Sequence, residues 1–360
     1  MVTWIKSCGE HSSTIFITLY FMAHSVGVIG AGIAGLSCAE KLIQAGFSVK
    51  ICEKSQGLSG RCSTRIFEEH SFDHGAQFFT AKSESFRNVL QRGLSKGWIA
   101  QWRPRVLDNQ PKSSWYVGVP GMSSFGKVFS VQNFVKTNAT VKTIVFQDKK
   151  WHVFGNFGEL NFSDSFDQLI LAIPSVQALD LIKTVPLASL KNLLEFEEVS
   201  KFLSNVIMLP CLTVMFSASK DFGINWPHDV YQTSESELHE HPIAWLAKNS
   251  SKPNRVQFSA TEDWVIQASP SWSKKYLDDD NEAIVEQLFK ELESITQVPV
   301  FRYLQHTIVH RWRYSRVASF QKLPNFWYSP QNQLGLCGDY FSTSRIESAF
   351  LSGIELSKQF

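Results

Sequence analysis

The run Gly30-Ala31-Gly32-Ile33-Ala34-Gly35 has the residue types and spacing that hold a pyrophosphate. Gly30 permits a tight turn off a strand, Gly32 lets the backbone approach phosphate oxygens, and Gly35 lets a helix pack closely on a sheet. Ile33 and Ala34 begin that helix, whose free N–H groups and positive partial charge face the anion. Glu53 follows Gly30 by 23 residues, spaced to accept the hydroxyls of an adenosine ribose. Gly60-Arg61 comes shortly after, and a guanidinium there can grip phosphate oxygens in a two-pronged fork. The glycine run alone is a weak signal; with Glu53 and Arg61 it describes a dinucleotide site.

That chemistry requires a strand before the glycines and a helix after them. The sequence SVGVI at 25–29 reads as a short buried strand, and 33–45 as a helix with Ile33, Leu36, Ala39, Leu42 and Ile43 on one face and Gly46 ending it. A second strand at 48–52 completes a βαβ crossover. From 81 to 131 the pattern is irregular and rich in turn residues. Antiparallel strands are expected at 141–146, 150–154 and 159–162, a largely apolar strand at 166–173, and a helix at 175–182. Further strands are expected at 212–216, 264–268 and 334–337, and helices at 281–295 and 345–358. Nucleotide-binding elements thus come from both ends of the chain: 25–80, 135–182 and 302–360 are assigned to a cofactor domain, and 81–134 and 183–301 to an inserted substrate domain.

Beyond the glycines the chain departs from the regular βαβ repeats of NAD-linked dehydrogenases. It continues Gly57-Leu58-Ser59-Gly60-Arg61, then Phe72-Asp73-His74-Gly75-Ala76-Gln77-Phe78-Phe79, and near its end carries Gly338-Asp339 and Arg345 through Gly353. These steps, in this order, resemble the signatures of the amine-oxidase-like FAD superfamily. The resemblance implies non-covalent FAD on an α/β, Rossmann-like domain, with an α+β substrate domain built on a mixed or antiparallel sheet. It assigns to the cofactor Gly30, Gly32, Ile33, Ala34, Gly35, Glu53, Lys54, Gly60, Arg61, Gly75, Ala76, Gln77, Val141, Gly338, Asp339, Arg345, Ile346 and Ala349. A helix starting near Arg345 would turn its positive end toward the flavin ring.

Within that superfamily the chain resembles the renalase family, its bacterial members especially. The match runs from Gly27 to Phe360 and includes Trp245-Leu246-Ala247-Lys248-Asn249, Trp264 through Pro270, and His310-Arg311-Trp312-Arg313-Tyr314. The resemblance implies oxidation of the 2- and 6-dihydro isomers of NAD(P)H to NAD(P)+, with O2 reduced to H2O2. It places Gln77, Phe78, Asn249, Gln267 and Trp312 in the pocket over the flavin. Hydride transfer between stacked planar rings needs no general base. Some family members carry tyrosine where Phe78 stands and histidine where Gln267 stands, so a candidate acid/base is missing here. The residues alone leave Trp312 and Phe78 open as core aromatics and Asn249 as a turn residue. Two other readings stay open: an FAD amine oxidase, for which no lysine sits at an obvious equivalent position, and a flavin-binding protein without turnover.

Composition narrows the partners. Hydrophobic residues make up 44% of the 360, charged residues 19%, and the net charge is +2 with no basic run, so neither nucleic acid nor an anionic membrane is an expected partner. The expected partners are a small-molecule substrate and O2. Cys8, Cys38, Cys52, Cys62, Cys211 and Cys337 show no metal-like spacing; they read as reduced thiols of a cytoplasmic protein, and Cys337 as a buried thiol without a flavin bond. No metal is expected at His70, Asp73 and His74, because Asp73 and His74 are given to the flavin motif and no further ligands cluster. The apolar stretch 15–23 is too short to span a bilayer and lacks a good cleavage site. Residues 1–24 are therefore taken as an extension, with Met22 as the natural start.

Overall fold

The computed structural model describes residues 24–107, 113–234, 236–318 and 324–360, so the expectations about the extension and Cys8 lie outside it. β1 (Ser25–Ile29), α1 (Ile33–Gln44) and β2 (Ser48–Cys52) form the expected crossover, with Ser25 opposite Ser48 and Ile29 opposite Cys52 in a parallel pair. A hairpin follows, β3 (Thr64–Phe67) and β4 (His70–Asp73). Next come α2 (Glu84–Ser95) and a second hairpin, β5 (Ile99–Trp102) and β6 (Trp115–Gly118). β7 (Val135–Lys136) leads into the meander β8 (Ala139–Gln147), β9 (Lys150–Phe157) and β10 (Leu160–Phe166). β11 (Gln168–Leu171), α3 (Ser175–Ile182) and α4 (Leu193–Asn205) complete the first half.

The second half opens with the long β12 (Met208–Ser219), then α5 (Lys220–Asn225), β13 (Val230–Gln232), β14 (Ile243–Lys248) and β15 (Thr261–Ala268). α6 (Pro270–Lys275) and α7 (Asn281–Thr296) precede β16 (Leu304–Val317). β17 (Phe326–Ser329), β18 (Leu334–Cys337) and α8 (Ile346–Ser357) end the chain.

Two sheets organise these elements. The first has strand order β17-β18-β11-β1-β2-β7, parallel except at the β17–β18 edge, so the two ends of the chain meet in one sheet as expected. One face packs on α1, α8 and the aromatic 86–129 region, the other on the β8–β10 meander with α3 and α4. The second sheet, β13-β14-β15-β12-β16, is antiparallel throughout. This is the Rossmann-like domain plus antiparallel substrate sheet that the motifs implied.

Three domain assignments need correction. β16 was expected in the cofactor domain, but it pairs along its length with β12 in the substrate sheet. Conversely, the "irregular" 81–134 holds α2, whose Phe86, Val89 and Leu90 join Val26, Val28 and Leu36 in one core on the cofactor side. α4 likewise packs Phe196, Val199 and Leu203 beside β8–β10 rather than on the substrate sheet. Among the described residues no helix is long and apolar enough to cross a membrane. Cys38, Cys52, Cys62 and Cys337 are buried free thiols, and Cys211 is half-buried.

Candidate active site

At the phosphate end, Gly30 has φ +103°, and a Cβ there would lie 2.6 Å from the Ala172 carbonyl oxygen. A Cβ on Gly35 would lie 2.1 Å from the Gly30 oxygen, so only glycine permits this helix-to-turn contact. Gly32 is different: a Cβ there meets nothing within 4 Å. The first turn of α1, with buried Ile33 and Ala34, has neither a side-chain cap nor an acidic residue, so its N–H groups face this open space. The 57–61 loop lies against it, Ser59 N donating to the Ala31 oxygen at 2.9 Å and Gly60 adopting φ +56°. Glu53 is buried; its Oε2 accepts from Ala31 N at 2.8 Å and its Oε1 from Ser55 N at 2.7 Å. Lys54 lines an open depression of about 360 Å³ with Asn138, Thr140, Lys142, Asn156 and Gly158. Val141, on β8 beside it, is half-buried against the core that contains Ile144, Val153 and Leu169.

Arg61 differs from expectation. Its terminal nitrogens donate to both carboxylate oxygens of Asp339, at 2.6 and 3.0 Å, and one also reaches the Ser315 oxygen on β16 at 2.8 Å. The fork assigned to pyrophosphate is therefore occupied by the acid of the Gly338-Asp339 step, 278 residues away. That pairing raises the guanidinium above its ordinary value against the opposing effect of burial. Arg345 stands exposed at the N-cap position of α8 without a side-chain cap bond, and half-buried Ile346 and Ala349 lie in the first turn of the helix.

The 73–77 turn joins the two domains. Ala76 N donates to the Arg61 oxygen at 2.9 Å, and a Cβ on Gly75 would lie 2.0 Å from that oxygen. Trp312 Nε1 donates to the His74 oxygen at 2.9 Å, and Gln267 Nε2 to the Gly75 oxygen at 2.6 Å. His70, Asp73 and His74 diverge: His70 pairs with Asp263 at 2.7 Å, Asp73 faces Lys252 and Arg255, and His74 stacks on Trp312 with centroids 5.1 Å apart. Among the described residues no three acids, histidines or cysteines cluster as metal ligands would.

Strand register explains what lies above this turn. Alternate residues of β12 face opposite ways: Leu212, Val214, Phe216 and Ala218 enter the core beside Ile284, Leu288 and Phe289 of α7. On the other face, Trp245, Gln267, Thr213 and His310 stand opposite one another across four neighbouring strands, and Cys211 stands opposite Trp312. Farther along that face Met215 and Val265 are plugged by Phe72. The uncharged row is left next to the 73–77 turn. Phe78 closes one end, its ring 4.0 Å from that of Trp115 and 5.4 Å from that of Trp245. Burial and the neighbouring His310 push His74 down to about 4, and burial and Arg65 lower His310 as well, which favours the neutral form of both rings.

The expected pocket set is thus only partly brought together. Phe78, Gln267 and Trp312 border the row. Asn249 does not: it is fully buried, donating from Nδ2 to the Ser71 oxygen at 2.6 Å and accepting from Asp73 N at 3.2 Å. Gln77 is buried too, its amide bonded to the Asp73 oxygen at 2.5 Å and to Lys252 Nζ at 3.1 Å. Both brace the turn, because the nitrogen and the oxygen of each amide bond protein groups.

Comparison with known proteins adds the decisive observation. Residues 28–92 match the NAD(P)-binding Rossmann-like domain, and residues 100–359 match the flavin containing amine oxidoreductase family. The chain belongs to the flavin-containing amine oxidoreductase family. Among curated relatives, a phytoene desaturase of Fusarium fujikuroi is 51% identical over 51 residues, which is 14% of this chain and 9% of that protein. A zeta-carotene-forming phytoene desaturase of Myxococcus xanthus is 37% identical over 68 residues, 18% of this chain and 13% of its own length. The chain thus aligns with only about a tenth of the length of these relatives. Solved structures match far more of it. Putrescine oxidase bound to putrescine has a TM-score of 0.67 at 10% identity, over 94% of this chain and 99% of the other. Cyclohexylamine oxidase from Brevibacterium oxydans gives 0.66 at 11%, over 94% and 98%. A CLA-producing fatty acid isomerase from P. acnes gives 0.64 at 12%, over 94% and 98%. At such identities the likeness establishes fold alone.

This member of the family has residues that fit FAD. The uncapped α1 N-terminus and the open space at Gly32 would suit a pyrophosphate, and buried Glu53 an adenosine ribose. Glu53→Gln keeps one acceptor oxygen but turns an NH2 group toward Ala31 N or Ser55 N, so the expected result is an apoprotein less stable by about 1–3 kcal/mol with FAD affinity about tenfold weaker, read by thermal melt and fluorescence titration. Unchanged affinity would remove Glu53 from the ribose site. Sequence reasoning missed Lys252 and Arg255, whose side chains are 0% and 1% exposed against Asp73. It also missed the Trp245–Gln267–Thr213–His310 row, which only strand register reveals.

Proposed function

We propose that the protein is a renalase-like FAD-dependent oxidase that converts 2- and 6-dihydro isomers of NAD(P)H to NAD(P)+, with O2 reduced to H2O2. The supporting observation is the uncharged row beside the 73–77 turn, centred on Gln267. Its Nε2 is fixed on the Gly75 oxygen at 2.6 Å, and its Oε1 has no protein partner among the described residues. Such an amide suits the N–H of a carboxamide on a planar ring, and half-buried Trp312 stands beside it. Bound FAD supplies the two-electron chemistry; the chain's own residues orient the ring and exclude water. Atoms balance as dihydronicotinamide plus O2 plus H+ giving NAD(P)+ plus H2O2.

The competing reading is an amine oxidase, favoured by the family name and by solved relatives titled putrescine and cyclohexylamine oxidase. The site itself supports it less. An aromatic cage needs a gap between two ring faces, whereas Phe78 is stacked 4.0 Å from Trp115 and Trp312 is stacked on His74. The row also carries no carboxylate to receive an ammonium group.

The test mixes the flavin-loaded protein anaerobically with the 2- and 6-dihydro isomers, ordinary NADH and a panel of amines, and follows flavin absorbance. Rapid bleaching by the isomers alone is the expected result. Bleaching by amines alone overturns it, and bleaching by nothing supports a flavin-binding protein without turnover. In the isomer reaction Gln267→Leu should raise KM about tenfold, the cost of one lost hydrogen bond in a dry site, with the fold unchanged.

A further inference from the structure

The seven-residue loop Asn249–Arg255 of the substrate domain grips the 73–77 turn with three side chains. Asn249 bonds the backbone on both sides of Phe72, Lys252 Nζ lies 3.0 Å from Asp73 Oδ2 and 3.1 Å from Gln77 Oε1, and Arg255 donates to the same Oδ2 at 2.5 Å. The other carboxylate oxygen of Asp73 accepts from Thr64 Oγ1 at 2.7 Å and Met122 N at 2.9 Å. The remaining group facing Lys252 is the Trp102 ring of β5, 5.3 Å away. Two cations therefore share one carboxylate, all essentially dry, and Arg255 Nε has no partner at all. A buried surplus charge is costly and acts over long distances in a low-dielectric interior. This one lies directly behind the turn that touches Arg61 and Trp312.

We propose that Lys252 is a positioning and charge-setting residue for the flavin: it fixes the 73–77 turn and holds behind it one net positive charge that favours the anionic, two-electron-reduced cofactor. The inference rests on the FAD reading given above but not on the identity of the substrate. Burial, with Arg255 adding to it and Asp73 opposing it, lowers Lys252 from 10.5 to about 8. The sign follows: the charge is present below pH of about 8 and is lost as pH rises through it, so the preference for reduced flavin should fall across that range.

Lys252→Met leaves Asp73 paired with Arg255, Thr64 and Met122 and is expected to fold. Its flavin midpoint potential, measured by dye equilibration, should drop by about 30 mV, a tenfold loss of preference for the reduced state, and the step near pH 8 should disappear. Lys252→Arg should restore the potential without restoring the step. Arg255→Gln, which leaves a neutral Lys252–Asp73 pair, gives a second route to the same downward shift if Lys252→Met does not fold. A variant that binds FAD with the wild-type potential and pH profile overturns the proposal. A wild-type protein that binds no FAD overturns the cofactor reading instead, and the two failures are distinct.

Discussion

Gly32→Ala should leave the melting temperature of the apoprotein unchanged and weaken FAD binding at least about a hundredfold, equivalent to roughly 2.7 kcal/mol. Gly32 has φ −72° and ψ 174°, which any residue adopts, and its added Cβ meets no protein atom within 4 Å. The only thing that methyl group can displace is what binds there. Gly35→Ala is the opposite case, since its Cβ would lie 2.1 Å from the Gly30 oxygen, a backbone atom that cannot turn aside. Overpacking of that kind costs about 1–3 kcal/mol or more, so this variant should melt early with or without cofactor. Thermal melts and FAD titrations of the two proteins separate the cases. If Gly32→Ala binds FAD normally, the cradle assigned to α1 is not the phosphate site.

The pair also shows which parts of the fold were legible. β1, α1, β2 and β18 were read correctly because each carries its own signal: short apolar runs, glycine punctuation and a helical stripe. α2 was not, although Phe86, Val89, Leu90 and Gly93 lie on one face and Ser83 caps it. Polar neighbours and turn residues on both sides hid a single helix of 12 residues. β16 was missed for a different reason. Its 14 residues include His306, His310, Arg311, Arg313 and Arg316, and none is fully buried. Its strand identity comes from pairing with β12 about a hundred residues earlier, a non-local fact that no local window holds.

The site divides along the same line. Gly30 and Gly35, which act through backbone geometry, make the tight turn and the close helix contact that their spacing suggested. Side chains whose partners are distant do not. Asn249-Ser250-Ser251-Lys252-Pro253-Asn254-Arg255 reads locally as an exposed polar turn, yet Lys252 and Arg255 are buried on a carboxylate some 180 residues earlier in the chain. The available signal was Asp73 itself, an aspartate that follows Phe72 at the end of β4 and is fully buried there, which demands a cation that the motif did not supply. Asn249 and Gln77, expected over the flavin, bond at the turn in the same way, since an amide's partners cannot be read from its neighbours in sequence.

Arg61 and Asp339 carry this point to a quantitative test. Asp339 is 6% exposed, and its two oxygens share a fork from a guanidinium that is 31% exposed. Arg61→Met strands a buried carboxylate and should destabilise the apoprotein by about 3 kcal/mol. Asp339→Asn leaves an arginine that can still reach water and the Ser315 oxygen, so its cost should be smaller, about 1–2 kcal/mol. The double variant has neither stranded charge and should cost less than the sum, with a coupling of about 1–2 kcal/mol by urea denaturation. Additive effects would mean that the pair is not formed in solution, leaving Arg61 free for phosphate as its place in the sequence first suggested. Coupling of the expected size would instead make Arg61 the clamp that joins the two ends of the chain beneath the cofactor, with its charge already committed to Asp339 before any phosphate arrives.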